Sequence, residues 1–201
     1  MHDKILLTTA YLPPISYFTL LSSSASVFIE KNENYVKQTY RNRCYILSPH
    51  GRQLLVVPVL EGSRHKIGIT EVRIDYSKRW QQVHLRAMVS AYKNSPFFDY
   101  YFDDIENTIS AGFEFLWELN NSLLKVVLDV LKIKMLPEFT AEFEKTGKSD
   151  YDYRYIINPE KPVNESLKYT QVFMNNGFVP DLSIIDLIFN MGPDSLLFIQ
   201  K

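Results

Sequence analysis

Ile5-Leu-Leu-Thr-Thr-Ala-Tyr-Leu-Pro-Pro-Ile-Ser-Tyr-Phe-Thr-Leu-Leu-Ser-Ser-Ser-Ala-Ser-Val-Phe-Ile29 is the stretch on which the fold turns. Ile5 to Thr9 is a short buried strand, and Tyr11-Leu-Pro-Pro14 stops it because successive prolines remove backbone donors and fix φ. A helix begins near Ile15 and carries Tyr17, Phe18, Leu20 and Leu21 to the serine cluster 22–24. Val27-Phe-Ile29 then supplies a second strand. Strand, loop, helix, strand is a βαβ unit, whose two strands run parallel and are joined by a right-handed crossover. In open α/β sheets ligands bind beyond the carboxyl ends of strands, which makes Tyr11 and Tyr17 candidate ligand contacts. The alternative is that both rings simply pack the start of the helix.

Outward from this unit the hydrophobic period changes. Cys44-Tyr-Ile-Leu47 and Leu54-Leu-Val-Val-Pro-Val59 flank the turn-rich Ser48-Pro-His-Gly51, a hairpin signal, and Ile67 to Ile74 alternates loosely enough to be a further strand. From Trp80 the pattern is helical. Residues 80–93 form one helix and Pro96 suits the first turn of a second. Phe113, Leu116, Trp117, Asn120, Leu124, Val127 and Leu131 fall at the spacing of a long amphipathic helix. Residues 137–166, with Pro137, Gly147, Pro159 and Pro162 among charges and tyrosines, read as a long loop, and loops of that length serve as lids or binding loops or are disordered. Ser183-Ile-Ile-Asp186 has the form of a capping box, and Gly192-Pro193 sits where a helix ends. The expected architecture is α/β: one domain over residues 1–201, with a mixed β-sheet, an N-terminal βαβ unit, a β-hairpin and a helical second half.

The chain has 201 residues, 46% hydrophobic and 22% charged, enough for one well-filled core. Its 22 basic residues against 23 acidic ones, with no block of like charge, argue against a nucleic-acid groove. No apolar run approaches the roughly 20 residues needed to span a bilayer, so membrane insertion is not expected. The apolar run at the N-terminus ends after Leu7, and Cys44 is the only cysteine, which agrees with a reducing, cytoplasmic setting. Asn164-Glu-Ser166 fits a glycosylation triplet with no secretory signal to support it.

Chemistry-bearing candidates are few. The segment Asn34-Tyr-Val-Lys-Gln-Thr-Tyr-Arg-Asn-Arg-Cys44, read as extended after Thr39, places Arg41 and Arg43 on one face and Asn42 on the other. Two adjacent guanidiniums make a clamp for carboxylate or phosphate; the alternative is a solvated edge whose arginines pair with Glu30 and Glu33. His84 shares a helical face with Trp80, Ala87 and Ala91, and is either a general base near neutral pH or a core-edge histidine bonded to a carbonyl. Ser183 and Asp186 are explained by capping, whereas Asn190 on an apolar helix face is not. Histidines 2, 50, 65 and 84 show no ligand spacing, so neither a metal nor a cofactor is expected.

Several blocks together carry a family resemblance: Ala10-Tyr-Leu-Pro-Pro-Ile-Ser-Tyr-Phe18, Glu33 through Cys44, Leu55-Val-Val-Pro-Val59, Trp80-x-x-x-His84, Ser90-Ala-Tyr-Lys-Asn-Ser-Pro-Phe-Phe98, Leu182-Ser-Ile-Ile-Asp186 and Phe189-Asn-Met-Gly-Pro193. In these the chain resembles the WbqC-like family, and most of all its Bacteroidetes-type branch. It departs from the family at two places. Many members carry His-Gln-Pro ahead of an Asn-Tyr-Leu-Pro pattern, where this chain has Leu7-Thr-Thr9 and Ala10; the family's Trp-Leu-Gly becomes Pro14-Ile-Ser16. Chemistry resting on that leading histidine is therefore not available here.

The resemblance implies a place in bacterial surface-polysaccharide assembly, of O-antigen or capsule type. The resemblance supplies the pathway and not the reaction; within that pathway the expected activity is group transfer, of acyl or aminoacyl type, to a nucleotide-linked amino sugar. Arg41 and Arg43 would hold the diphosphate, Gln38, Asn42 and Tyr11 would read the sugar or base, and His84 would accept a proton from the attacking amine. Tyr17 and Asn190 complete the candidate ligand contacts. The alternative is a non-catalytic nucleotide-sugar-binding or scaffolding subunit. Expected partners are a nucleotide sugar or another phosphorylated or anionic small molecule, and a second copy of the chain in a homo-oligomer.

Overall fold

The structure is a computed structural model and describes residues 2–60, 66–145, 151–161, 167–174 and 177–200. His65, Gly147, Pro162 and the Asn164–Ser166 triplet lie outside the described residues.

The βαβ unit forms as its apolar pattern dictates. Strand β1 (His2–Thr8) pairs in parallel with β2 (Ser24–Glu30), with Ile5 opposite Val27 and Leu7 opposite Ile29. The crossover helix α1 (Ile15–Ser22) buries Ile15, Tyr17, Phe18 and Leu21. The intervening loop is held from the far end of the chain. The Ile15 amide donates to the Leu182 carbonyl at 3.0 Å, the Ile184 amide to Pro13, and the Ser183 hydroxyl to the Leu12 carbonyl at 2.8 Å. Leu12 adopts φ 41°, a left-handed conformation that costs a non-glycine residue on the order of 1–3 kcal/mol. That clamp offsets the strain and fixes the direction in which Tyr11 points.

The hairpin β3 (Arg43–Ser48) and β4 (Gly51–Val56) is antiparallel, closed at Ser48 opposite Gly51 with the glycine at φ 99°. Parallel and antiparallel pairing are therefore both present, in two separate sheets. The strand expected over Ile67–Ile74 does not form. A 3-10 turn at Ile69–Glu71 occupies it, and its backbone groups bond singly to different neighbours: Ile69 to Glu33, Ile74 to Glu114, and Leu116 to Val72. Alternating exposure there reflects three burials, Ile69, Val72 and Ile74, and not a ladder.

The helical half follows the 3.6-residue period. It comprises α2 (Trp80–Tyr92), α3 (Phe98–Ser110), α4 (Leu116–Val130), α5 (Ile184–Met191) and α6 (Ser195–Ile199). Pro96 lies in the turn ahead of α3 and not in its first turn. The segment read as a loop does more than connect. Glu138–Phe139 forms a short strand, β5, parallel to β2, and Tyr151 and Tyr153 exchange backbone bonds with Leu6 on the other edge of β1. One continuous buried cluster runs from Ile5 and Phe18 through Ile46, Tyr92 and Leu123 to Phe189.

A candidate ligand cleft between β4 and α2

Between β4 and the first turn of α2 lies a cleft of about 440 Å³, within the size range of small-ligand sites. Leu54, Val56 and Val83 supply apolar wall, Gln53 an amide, and Lys78 and Arg79 two exposed cations at the rim. Lys78 also acts on Asp75, whose carboxyl is held below its ordinary value first by the Ser77 hydrogen bonds and only secondarily by this lysine. Lys78 is exposed at the rim, where an anion can reach it.

Behind the rim stand Trp80 and His84, one helical turn apart and packed ring to ring at 5.1 Å with a 72° interplanar angle. Tyr11 closes the group from the other side, edge-on to Trp80 at 6.4 Å. Its hydroxyl lies 2.9 Å from His84 Nδ1, while His84 Nε2 lies 3.2 Å from the Val56 carbonyl. A carbonyl can only accept, so Nε2 carries the proton and Nδ1 accepts from Tyr11. Burial pushes the imidazole down to about 4, partly opposed by the Val56 carbonyl, so it is neutral at pH 7. Both ring nitrogens are thus engaged, the arrangement of the carbonyl-bonded reading. The Trp80 indole N–H is buried with no hydrogen-bond partner among the described residues, an unmet donor in a residue that lines the cleft.

Tyr11 and His84, 73 positions apart in sequence, are the two candidate residues the fold brings together. The guanidinium pair is a correction. Tyr40–Asn42 is a 3-10 turn and not extended chain, which breaks the alternation and sends Arg41 inward. There it makes a bidentate pair with Glu33, Nε to Oε1 at 2.9 Å and Nη2 to Oε2 at 2.5 Å, with both side chains buried. Thr39 and Thr8 hydroxyls complete the shell. The expected pairing with Glu33 is therefore real, whereas Glu30 binds Arg154, which also holds Asp152. Arg43 begins β3 half-buried, its Nε without a partner among the described residues, and it does not share an anion with Arg41.

The remaining candidates are dispersed. The Tyr17 hydroxyl donates to the Thr8 carbonyl at 3.0 Å. Gln38 is exposed at φ 59°. Asn42 donates to the Val57 carbonyl, and Asn190 to the Asp186 carbonyl one turn back in its own helix. The capping box is also corrected: the Ser183 hydroxyl goes to Leu12, and Asp186 is fully buried, accepting from Tyr169 at 2.5 Å and Gln171 at 3.0 Å. Burial raises its carboxyl above the usual range, against the opposing pull of those donors. Lys78, Arg79 and Gln53 escaped sequence reasoning because single polar residues on a loop or strand carry no pattern. The sole signal for Lys78 and Arg79 was adjacency to Trp80-x-x-x-His84, and the half-buried Gln53 on β4 had none.

The profile of the WbqC-like protein family matches residues 9–164 and 161–197, and the chain belongs to that family. A relative from Mycobacterium tuberculosis, carrying the name uncharacterized protein Rv1507c, is 25% identical over 241 aligned residues that cover the whole of both chains. No solved structure matches.

Proposed function

We propose that this protein binds a phosphorylated sugar in the β4–α2 cleft and serves as a ligand-binding component of bacterial surface-polysaccharide assembly. The observation that carries the reading is the meeting of Lys78 and Arg79 with the unpartnered Trp80 indole at one ligand-sized hollow. Two exposed ammonium and guanidinium groups attract phosphate, and a partly apolar wall suits the face of a sugar or base. The pathway assignment rests on family membership.

Group transfer to a nucleotide-linked amino sugar is the second reading, favoured by the Tyr11–His84 pair at the cleft wall. It requires an incoming amine to displace the Tyr11 hydroxyl from Nδ1, because Nε2 carries the proton donated to the Val56 carbonyl and the Nδ1 lone pair is the one the neutral imidazole has for a proton. Isothermal calorimetry with a panel of sugar phosphates and nucleotide sugars, on the intact chain and on Lys78→Ala/Arg79→Ala, tests the first reading. Saturable binding weakened by the double substitution is expected; no binding of any member overturns it. Turnover of an acyl or aminoacyl donor that His84→Gln abolishes, in protein that still binds, would favour the second.

A further inference from the structure

The geometry points to a nucleobase-reading edge: the outward backbone of Leu54 takes the Watson–Crick edge of a base, so the ligand of this cleft is nucleotide-linked. This rests on the binding reading above and specifies its substrate class.

The direction of each backbone group in the hairpin follows from its register. Val57 donates to the Asn42 carbonyl at 2.8 Å, and residues 42 and 57 continue the pairing that sets Arg43 opposite Val56 and Cys44 opposite Leu55. In an antiparallel ladder, alternate pairs exchange bonds while the pairs between them turn their N–H and C=O outward. Cys44 with Leu55 and Ile46 with Gln53 therefore bond each other, whereas Arg43, Tyr45, Leu47, Arg52, Leu54 and Val56 face away. Independent contacts agree. On the β3 side the Tyr45 carbonyl accepts from the Ser183 amide at 2.8 Å, and the Leu47 amide donates to the Tyr92 hydroxyl at 3.0 Å. On the β4 side the Val56 carbonyl meets His84.

The β3 edge is thus covered, and among the described residues the β4 edge borders no further strand. Leu54, which lines the cleft, turns both an N–H and a C=O outward, with no protein partner for either among the described residues.

A donor and an acceptor presented side by side by one residue match a group whose own acceptor and donor also lie side by side. Every nucleobase has that pair on its Watson–Crick edge, as in the N3–H and O4 of uracil. A simple sugar amide does not, because its N–H and C=O point in opposite directions. An added peptide strand would need a continuing ladder, but the Val56 carbonyl is already taken by His84, which leaves only Arg52 and Leu54 of β4 to pair with. The 42% exposed Leu54 and 59% exposed Val83 side chains offer aliphatic surface for the faces of a planar ring. Lys78 and Arg79 at the same cleft supply charge for the phosphates that a nucleotide carries.

Calorimetry on the intact chain with uridine diphosphate, 3-methyluridine diphosphate and ribose 5-diphosphate tests the inference. The second ligand blocks the base's N3 donor and the third lacks the base. Binding of uridine diphosphate is expected to weaken by at least tenfold for each, the worth of a bidentate base contact. Leu54→Pro, which deletes the outward N–H at an edge position where proline is tolerated, is expected to erase that difference in folded protein. If all three ligands bind alike and Lys78→Ala weakens all three, the base contact is overturned while the anion cleft survives. If none of the three binds, the adenosine, guanosine, cytidine and thymidine diphosphates are titrated alongside; a sugar phosphate that binds where no nucleotide does shows that the ligand is not nucleotide-linked, and if nothing binds, both readings fall.

Discussion

At the scale of single residues, the arginine with the clearest sequence signal is the one least available to a ligand. Arg41 and Glu33 are almost wholly excluded from water, so each exists to neutralise the other. Breaking such a pair leaves an uncompensated buried charge and costs about 3–5 kcal/mol, whereas replacing both partners with apolar groups of similar volume costs far less. Arg41→Met is accordingly expected to destabilise by that amount in urea unfolding, and Arg41→Met/Glu33→Leu to recover most of it; a double variant as unstable as the sum of the singles would refute the pairing. His84 carries a pH signature. Its folded value near 4 lies below the ordinary 6.5, so the unfolded chain binds the proton more readily. The stabilisation is complete above pH 6.5 and is lost as pH falls from 6.5 through 4, by roughly 3 kcal/mol in total. Asp186, with its raised carboxyl, has the opposite sign: its contribution is lost as pH rises above 3.8. The difference between the intact chain and His84→Gln isolates the histidine, and parallel stability curves for the two between pH 7 and 4.5 would contradict the buried neutral imidazole.

At the scale of elements, Gly192 closes α5 at φ 53° and ψ −126°, and a β-carbon added there would run into the Phe97 ring. A methyl group there meets both backbone strain and the ring, so Gly192→Ala is expected to cost about 1–3 kcal/mol and to lower the thermal midpoint by several degrees. Unchanged melting would show that the α5–α3 junction is loose. The same scale shows what the sequence made legible. The βαβ unit, the hairpin and the long helices emerged because each repeats its period over enough residues to be unambiguous. Ile67–Ile74 misled because three separate burials in a turn mimic alternation, and β5 was invisible because it is two residues long. Of the site, Tyr11 and His84 were legible as residues flanking a strand end and a helical face. Their meeting was not, because tertiary packing alone joins positions so distant in the chain. Arg41 and Arg43 were misjudged by assuming extended backbone where a 3-10 turn intervenes, and Lys78 and Arg79 have no periodic mark at all.

At the scale of the whole molecule, a continuous core links the sheet, the hairpin and the α-helices of the described residues, so the elements are expected to lose structure together. The two tryptophans report this from different places: Trp80 beside the hairpin, and Trp117 on α4, tilted against Phe139 of β5. Fluorescence of Trp80→Phe and Trp117→Phe proteins is expected to give unfolding midpoints that coincide with each variant's own circular dichroism midpoint; a separation between probes would mean that the hairpin region unfolds independently. No helix among the described residues is long and apolar enough to cross a membrane. The cleft lies at one rim of this body, where the outer edge of β4 faces the start of α2.

The most direct test of that account reads the unpartnered Trp80 indole by nuclear magnetic resonance, with Trp117→Phe assigning its signal. Addition of uridine diphosphate N-acetylglucosamine is expected to shift the Trp80 indole proton saturably, and Lys78→Ala/Arg79→Ala to move the midpoint at least roughly tenfold higher, equivalent to about 1.4 kcal/mol. An indole signal that stays fixed through millimolar nucleotide sugar and sugar phosphate alike would contradict the claim that this cleft is the binding site.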